Sequence, residues 1–236
     1  MQPHQYALME QIEESHWWFI AKRNFINAII PKNRQLTILD VGCGTGKMTK
    51  FLDSWGTVTR LENSQFAQCY LRKKHISFVN ESITSYPVQS NAFDLICFFD
   101  VLYHRSIEND LKILQASHTR LKKNGLLCMT DCAIPYLWSY HDISMRARER
   151  YTKHELEQKI VSCGFTIVRS SYIFFLTFPL FVFQRLLNKF VMFETVQTPS
   201  TVLNSLLISL CTLEAKLLRK INLPIGSSII ILAQKL

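Results

Sequence analysis

Short apolar runs alternate along the chain with stretches in which apolar residues recur every three or four positions. The clearest run, residues 92–99, is apolar at nearly every position, as a central parallel strand is when both of its faces are covered. Further runs predict strands at residues 36–41, 58–61, 76–79, 126–130, 165–175 and 228–233. The alternation predicts an α/β fold in which helices cover a sheet.

The intervening stretches have helical periodicity. Residues 6–14 and 16–30 predict an N-terminal helix pair, and the second helix has a buried stripe from Trp18 to Ile29. Further helices are predicted at residues 47–52, 66–74, 107–121 and 152–163. Residues 122–125 predict a turn that ends the third of these, and Thr152 with Glu155 forms a capping box at the start of the fourth.

Composition adds little to this picture. At 236 residues with 48% hydrophobic positions, the chain suits one domain with insertions. Acidic residues at positions 10, 13 and 14 occupy the place of a signal-peptide apolar region, and the seven cysteines are scattered without metal-binding spacing. We therefore expect a reducing, cytoplasmic compartment. The net charge of +9 suits nucleic acid, an anionic membrane surface or anionic substrates, and alone does not decide among them.

A glycine-rich loop follows the first predicted strand. Gly42, Gly44 and Gly46 stand at alternate positions before a predicted helix, an arrangement that lets a ligand approach the backbone and a helix N-terminus. The dinucleotide pattern needs a third glycine at position 47 or 49, where the chain has lysine and threonine. A P-loop needs a hydroxyl residue at position 48, which is Met48.

With Asp40 in front of it, the D-x-G-x-G-x-G loop resembles the cofactor loop of class I S-adenosylmethionine-dependent methyltransferases. The resemblance implies S-adenosylmethionine as cofactor and a Rossmann-like seven-stranded sheet with helices on both faces. That sheet is mostly parallel, and its last strand runs antiparallel between the fifth and sixth. The cofactor-binding residues it implies in the loop are Asp40, Gly42, Cys43, Gly44 and Gly46.

Three later segments extend the cofactor site. Glu62 follows the second predicted strand, where an acid can accept hydrogen bonds from both ribose hydroxyls, and Asn63 stands beside it. The other interpretation of Glu62 is a cap for the next helix. The resemblance implies that Glu81 and Ser82 contact the adenine. Asp100 lies at the carboxyl end of the fourth predicted strand, where open α/β sheets bind ligands.

The segment His16-Trp17-Trp18-Phe19 resembles one that precedes the glycine loop in a bacterial subgroup of these methyltransferases. It is interpreted either as plain packing or as a lid over the cofactor or substrate. We expect residues 1–33 to form a helical cap or lid and residues 34–236 to form the methyltransferase domain. The subgroup has a further histidine and an arginine pair where this chain has Ala147 and Glu149, which leaves the subgroup's substrate chemistry open.

Methyl transfer depends mainly on alignment, and a hydroxyl acceptor also needs a base, for which histidine is the usual choice. His141 and His104 are the candidate catalytic residues, with His16 a third if the N-terminus folds over the site. Each has a structural alternative: His104 caps its neighbouring helix, or His141 only bonds Asp142. The sequence has no metal-ligand cluster, so we expect no metal.

An apolar insertion, residues 172–222, separates the sixth and seventh predicted strands. Its apolar run at 173–183 is too short to cross a bilayer, while Arg185, Asn188 and Lys189 suit lipid headgroups. We expect residues 174–175 and 178–183 to contact an apolar substrate or a membrane. For the leucine stripe at 203–218 we favour core packing or a dimer interface.

The sequence therefore predicts methyl transfer to a small-molecule, glycan or lipid-linked acceptor by a cytoplasmic enzyme that contacts a membrane peripherally. An RNA methyltransferase is the first alternative, supported by the charge. The Asn/Asp-Pro-Pro-Tyr/Phe loop of amino-methylating nucleic-acid enzymes is missing after residue 99, and we expect no nucleic-acid partner. A non-catalytic protein that binds the cofactor without turnover is the second alternative. The sequence does not indicate an oligomeric state.

Overall fold

The structure, a computed structural model, describes residues 3–31, 35–87, 89–190 and 199–236, with the backbone alone at 187–190. The strands are β1 Leu36–Val41, β2 Gly56–Leu61, β3 Phe93–Phe99, β4 Leu121–Cys132, β5 Phe165–Ile173 and β6 Ser228–Lys235. The helices are α1 Pro3–Ile12, α2 Trp17–Ile29, α3 Gln65–Lys73, α4 Asp110–Arg120, α5 Tyr140–Ser144, α6 Lys153–Ser162, α7 Phe178–Phe190 and α8 Thr201–Leu218. Two 3-10 helices cover Lys50–Ser54 and Pro135–Leu137.

In the described part of the chain, the strands form one sheet in the order β2-β1-β3-β4-β6-β5. β1 to β4 pair in parallel, and β6 runs antiparallel between β4 and β5, which confirms the predicted Rossmann-like topology. Alternate residues of β3 enter separate apolar cores on the two faces: Ile96 and Phe98 on one, Leu95 and Cys97 on the other. Since both faces are buried, the run has no polar alternation.

The predicted strand at 76–79 is wrong, and the described sheet has six strands, not seven. In this segment only Val79 pairs with the sheet, through an isolated parallel bridge to Leu61. His75, just before it, has a left-handed φ of 54° and turns the chain, so the segment reaches β2 only at its last residue.

The predicted helix after the glycine loop is also wrong, because a 3-10 helix, Lys50–Ser54, stands in its place. Backbone hydrogen bonds in this segment join residues three apart, from the N–H of Leu52 to the carbonyl of Thr49 and from the N–H of Trp55 to the carbonyl of Leu52, which is the pattern of a 3-10 helix. The turn predicted at 122–125 instead lies within β4. The capping box of Thr152 and Glu155 is confirmed at the start of α6.

The leucine stripe of α8 is mostly exposed, so the prediction of core packing is wrong for most of it. Leu207 and Leu218 are buried, and the rest of the inward face is Cys211, Glu214 and Ala215. This face joins the core that also contains α2. The exposed leucines are Leu203, Leu206, Leu213 and Leu217. Among the described residues, α8 is the one helix whose length and composition would allow it to cross a membrane.

The prediction that Phe174 contacts an apolar substrate or a membrane is also wrong, because Phe174 is a core residue that is 1% exposed. Its ring stacks on Trp18 and meets Trp17 and Phe25 edge to face. The described parts of the insertion are helical, as predicted. The predicted boundary at 33–34 and residues 191–198 of the insertion lie outside the described residues, as do the side chains of Asn188 and Lys189.

Candidate cofactor and acceptor site

A cavity of about 970 Å³ lies at the carboxyl ends of β1, β2 and β3, a volume that suits a cofactor together with a small acceptor. The N-terminal helices, the loop after β1, α5 and α7 complete its wall. Ten of the twelve predicted site residues line it: Gly42, Cys43, Gly44, Glu62, Asn63, Glu81, Ser82, Asp100, His104 and His141. The other two, Asp40 and Gly46, lie behind the wall.

The glycines of the loop have different roles. All three have positive φ angles, 73° at Gly42, 61° at Gly44 and 84° at Gly46. A Cβ at Gly44 would meet nothing within 4 Å, so this glycine leaves open space in the cavity. At Gly46 a Cβ would come within 2.8 Å of Leu71 and 2.9 Å of Ile76, so this glycine permits close packing of α3.

Glu62 braces the loop as well as lining the cavity. Its Oε2 accepts from the backbone N–H of Gly44 and its Oε1 from that of Ser64, both at 2.8 Å. Burial raises the pKa of the carboxyl above its ordinary value, and these N–H donors oppose the shift. Two acceptor atoms bonded once each retain lone pairs for the hydroxyls of a ribose.

Asp40 is buried beneath the loop at the end of β1. It is 1% exposed, and no hydrogen-bond partner reaches Oδ2 within the described residues. Burial raises the pKa of the carboxyl to about 7. Asp40 lies beneath the glycine loop and does not line the cavity.

The N-terminal helices are bonded to the same loop. The hydroxyl of Thr45 donates to Glu13, and Glu10 forms ion pairs with Lys47 at 3.2 Å and Lys74 at 2.6 Å. Burial raises the pKa of Glu13 to about 7. The segment at 16–19 both packs and lines the cavity, so the two interpretations of it do not exclude each other.

Lys22 is a residue that the sequence reasoning missed. It is fully buried and forms an ion pair with Asp100, and its ammonium lies 3.7 Å from the ring centroid of Trp18. Asp100 has a left-handed φ of 59° and donates its backbone N–H to Thr130. The pair connects α2 to the end of β3, where the cavity begins. No pattern of neighbouring residues in the sequence predicts this ion pair, because Lys22 and Asp100 are 78 residues apart.

His104 and His141 line the same cavity as Asp100. Burial lowers the pKa of His104 to about 4. Burial, followed by the nearby Arg185 charge, lowers the pKa of His141 to about 3. Both imidazoles are therefore neutral near pH 7, the form that accepts a proton. In the described residues, no group of three or more His, Cys, Asp or Glu is placed to hold a metal ion.

A buried ion cluster lies behind His141. Asp142 accepts from Arg150 at 2.8 Å and from Arg185 at 3.2 Å, and Arg185 also donates to Ser139. Arg185 is 6% exposed and lines the cavity, so its predicted position among headgroups is wrong. The apolar residues around Arg185 in the sequence led to the prediction that it faces a membrane. No residue near it in the sequence indicated a carboxylate partner on α5.

Residues 38–125 match the methyltransferase domain family. A S-adenosylmethionine-dependent methyltransferase from Archaeoglobus fulgidus matches with a TM-score of 0.65 and 15% identity, over 98% of this chain and 99% of its own. One from Mesorhizobium loti matches with a TM-score of 0.60 and 14% identity, over 91% and 98%.

The [4+2]-cyclase SpnF also shares the fold, with a TM-score of 0.59 and 16% identity, over 91% of this chain and 81% of its own. No curated protein sequence matches the chain significantly. At these identities the structural matches show the fold, while the family match covers the glycine loop, Glu62 and Asp100. We conclude that residues 38–125 form a methyltransferase domain, in a chain that has the fold of S-adenosylmethionine-dependent methyltransferases.

Proposed function

We propose that the protein transfers a methyl group to a small, largely apolar acceptor that enters the cavity from a membrane surface. A lipid or a lipid-linked glycan has this character. The observation that carries the proposal is the placement of α7, which has one face in the cofactor cavity and the opposite face exposed and apolar.

The inner face of α7 follows helical spacing. Phe181, Gln184 and Arg185 line the cavity, together with Thr177 just before the helix. These positions are separated by three or four residues and so lie on one side. An acceptor in the cavity therefore contacts an aromatic ring and a cation from the insertion.

The outer face of α7 is apolar. Leu180, Phe183 and Leu186 are 52%, 61% and 49% exposed. The exposed leucines of α8 form a second apolar surface, and Lys216, Arg219 and Lys220 are exposed at the end of that helix. An apolar helix face with neighbouring cations suits the interface of an anionic bilayer.

The residues of the cavity fit S-adenosylmethionine. The open space at Gly44 and the carboxylate of Glu62 would hold its nucleoside and amino-acid parts, and Glu81 with Ser82 lies farther along the same wall. The bound cofactor supplies an electrophilic methyl group on a sulfonium. The chain's contribution is alignment of the acceptor, which is worth about 7–11 kcal/mol in well-oriented reactions. His141 or His104, both neutral, would take the proton of a hydroxyl acceptor.

Vesicle flotation with anionic and neutral lipids tests the membrane part. Wild type should float with anionic vesicles at low salt, and Phe183→Asp should not. Val161→Asp on α6 makes the same change at a similarly exposed position, 53% against 61%, and should float normally. Phe181→Asp faces the cavity and should float while losing turnover. A wild type that stays with neither vesicle would contradict membrane contact.

Labelled cofactor and fractionated whole-cell extract test the acceptor. Incorporation of label into the lipid fraction supports the proposal. Label in RNA, with salt-dependent binding, would support the RNA methyltransferase in its place. Cofactor binding with no label in any fraction would support the non-catalytic alternative.

A further inference from the structure

The ion cluster at the acceptor end of the cavity does not balance in charge. It contains one carboxylate, Asp142, and two guanidinium groups, Arg150 and Arg185. All three side chains are at least nine-tenths buried, with side-chain exposures of 1%, 2% and 7%. The cluster therefore holds one positive charge in excess, and an uncompensated buried charge is costly.

Neighbouring charged groups do not supply the missing negative charge. Asp100 is already paired with Lys22. Asp131 is fully buried, and burial raises its pKa well above the ordinary value, which favours the neutral acid. Burial likewise raises the pKa values of Tyr103 and Cys132, so both stay neutral.

A neighbouring network is balanced in charge. Asp110 and Glu149 carry two negative charges there, and Arg148 and Lys159 carry two positive charges. Only the side chain of Asp110 is buried in it, at 5% exposure, while those of Arg148, Glu149 and Lys159 are 27%, 34% and 26% exposed. The unbalanced cluster is the one that opens to the cavity, through Arg185.

Arg185 is also placed for a ligand that combines an anion with an apolar body. Its guanidinium lies 4.7 Å from the ring centroid of Phe181, and both line the cavity. Its bonds to Ser139 and Asp142 run through Nη1, which fixes the plane of the group. Of the acidic residues that line the cavity, Asp100 is paired with Lys22, and Glu13, Glu62 and Glu81 come from the N-terminal segment, the end of β2 and the segment before β3.

We propose that the acceptor carries a carboxylate or phosphate group that binds at Arg185, while its apolar part lies against Phe181. The inference rests on the proposed function and adds the charge of the substrate. An anion at this point compensates the excess charge of the Asp142 cluster. It also positions the apolar part beside His141, on the same wall.

Calorimetry of protein loaded with S-adenosylhomocysteine tests the charge directly. The probes are decanoate, decyl phosphate and the neutral decanamide, which share an apolar chain. Wild type should bind one or both anions at least tenfold more tightly than the amide. The tighter anion identifies the group as carboxylate or phosphate.

Arg185→Met should abolish this preference and leave the affinity for decanamide unchanged, which also shows that the cavity has kept its shape. Arg185→Lys should keep part of the preference, because the charge remains. Lys123→Met, at an exposed position of β4, removes a cation outside the cavity and should bind all three probes like wild type.

Equal affinities for the three probes would overturn the inference, as would an Arg185→Met variant that weakens all three alike. So would binding of a uridylate oligomer that depends on Arg185 and excludes both amphiphiles. If wild type fails to bind S-adenosylhomocysteine at all, the proposed function itself is overturned. The calorimetry therefore separates the two failures.

Discussion

Arg185 of α7 donates a hydrogen bond to Asp142 of α5, with an Nη1–Oδ2 distance of 3.2 Å, between side chains that are 7% and 1% exposed. The contact joins residues 43 positions apart and fixes the insertion against the acceptor end of the cavity. Arg150 donates to the other oxygen of the same carboxylate, so Asp142 anchors both α7 and the segment that contains Arg150.

Asp142→Asn should therefore destabilise the protein strongly. The substitution leaves two buried guanidinium groups without a counter-charge, a change that costs about 3–5 kcal/mol. Denaturant unfolding measures the loss. Glu157→Gln breaks a half-exposed ion pair on α6 and should cost less than about 1 kcal/mol. Equal effects of the two substitutions would show that the buried cluster does not anchor α7.

Gly44→Val should abolish binding of S-adenosylhomocysteine, because its side chain enters the open space in front of the loop. The positive φ of 61° adds strain of about 1–2 kcal/mol, which lowers the melting temperature only modestly. Gly46→Ala is the matched variant, and it should lower the melting temperature more because its Cβ meets α3. Calorimetry should also show no binding of NADH to wild type; binding of NADH alone would contradict the cofactor assignment.

Glu62→Gln should weaken S-adenosylhomocysteine binding by about 1–3 kcal/mol, the value of hydrogen bonds to a charged group. The amide keeps one acceptor oxygen but cannot accept from both Gly44 and Ser64. Titration calorimetry gives the affinity. Glu81→Gln, on the farther wall, is the comparison, and a smaller loss at Glu62 than at Glu81 would assign the ribose to another residue.

Removal of the catalytic histidine should lower turnover far more than cofactor affinity when the acceptor is a hydroxyl. His141→Ala and His104→Ala separate the two candidates, and His154→Ala on α6 is the control. With pKa values near 3 and 4, both imidazoles are already neutral at pH 6, so kcat should be constant from pH 6 to 8. A titration near pH 6.5 that disappears in either variant would contradict the lowered pKa of that histidine.

Stability should fall as pH rises through 7, and Asp40 should carry part of the effect. Its pKa is about 7 when folded against an ordinary 3.8, so the folded state binds more protons between these values. The free energy of unfolding therefore decreases with pH across that window, by up to about 4 kcal/mol for this group. Asp40→Asn should flatten the change between pH 5 and 8 in denaturant unfolding. A variant with the wild-type slope would assign the effect to other groups, of which Glu13 is one.

The sheet and the glycine loop were predictable because their signals are local. Strand β3 is a continuous apolar run, and Gly44 stands in a pattern that excludes other nucleotide loops. Thr152 and Glu155 predict their capping box for the same reason, since both partners lie within one helical turn. Local chemistry was sufficient for these features, whereas the equally local predictions of a helix at 47–52 and a turn at 122–125 were wrong.

Long-range pairs were not predictable. Lys22 pairs with Asp100 at a separation of 78 residues, and Arg185 pairs with Asp142 at a separation of 43. Nothing in the sequence distinguishes either cation from an ordinary surface lysine or arginine. The prediction of core packing for the leucines of α8 was wrong for a related reason. An apolar stripe shows which side of a helix lacks polar residues, but not whether other parts of the protein cover that side. Glu214, on the buried side, satisfies backbone N–H groups of Phe175 and Leu176 instead.

The position of Glu10 has a kinetic consequence. Tyr6, Met9 and other α1 residues wall the cofactor end of the cavity, and Glu10 holds α1 there through Lys47 and Lys74. We expect α1 to move when a spent cofactor leaves, and partly exposed ion pairs weaken as salt screens them. Product dissociation should then accelerate with ionic strength while single-turnover chemistry does not. Where release is the slow step, the salt concentration around the N-terminal helix sets how often the enzyme turns over.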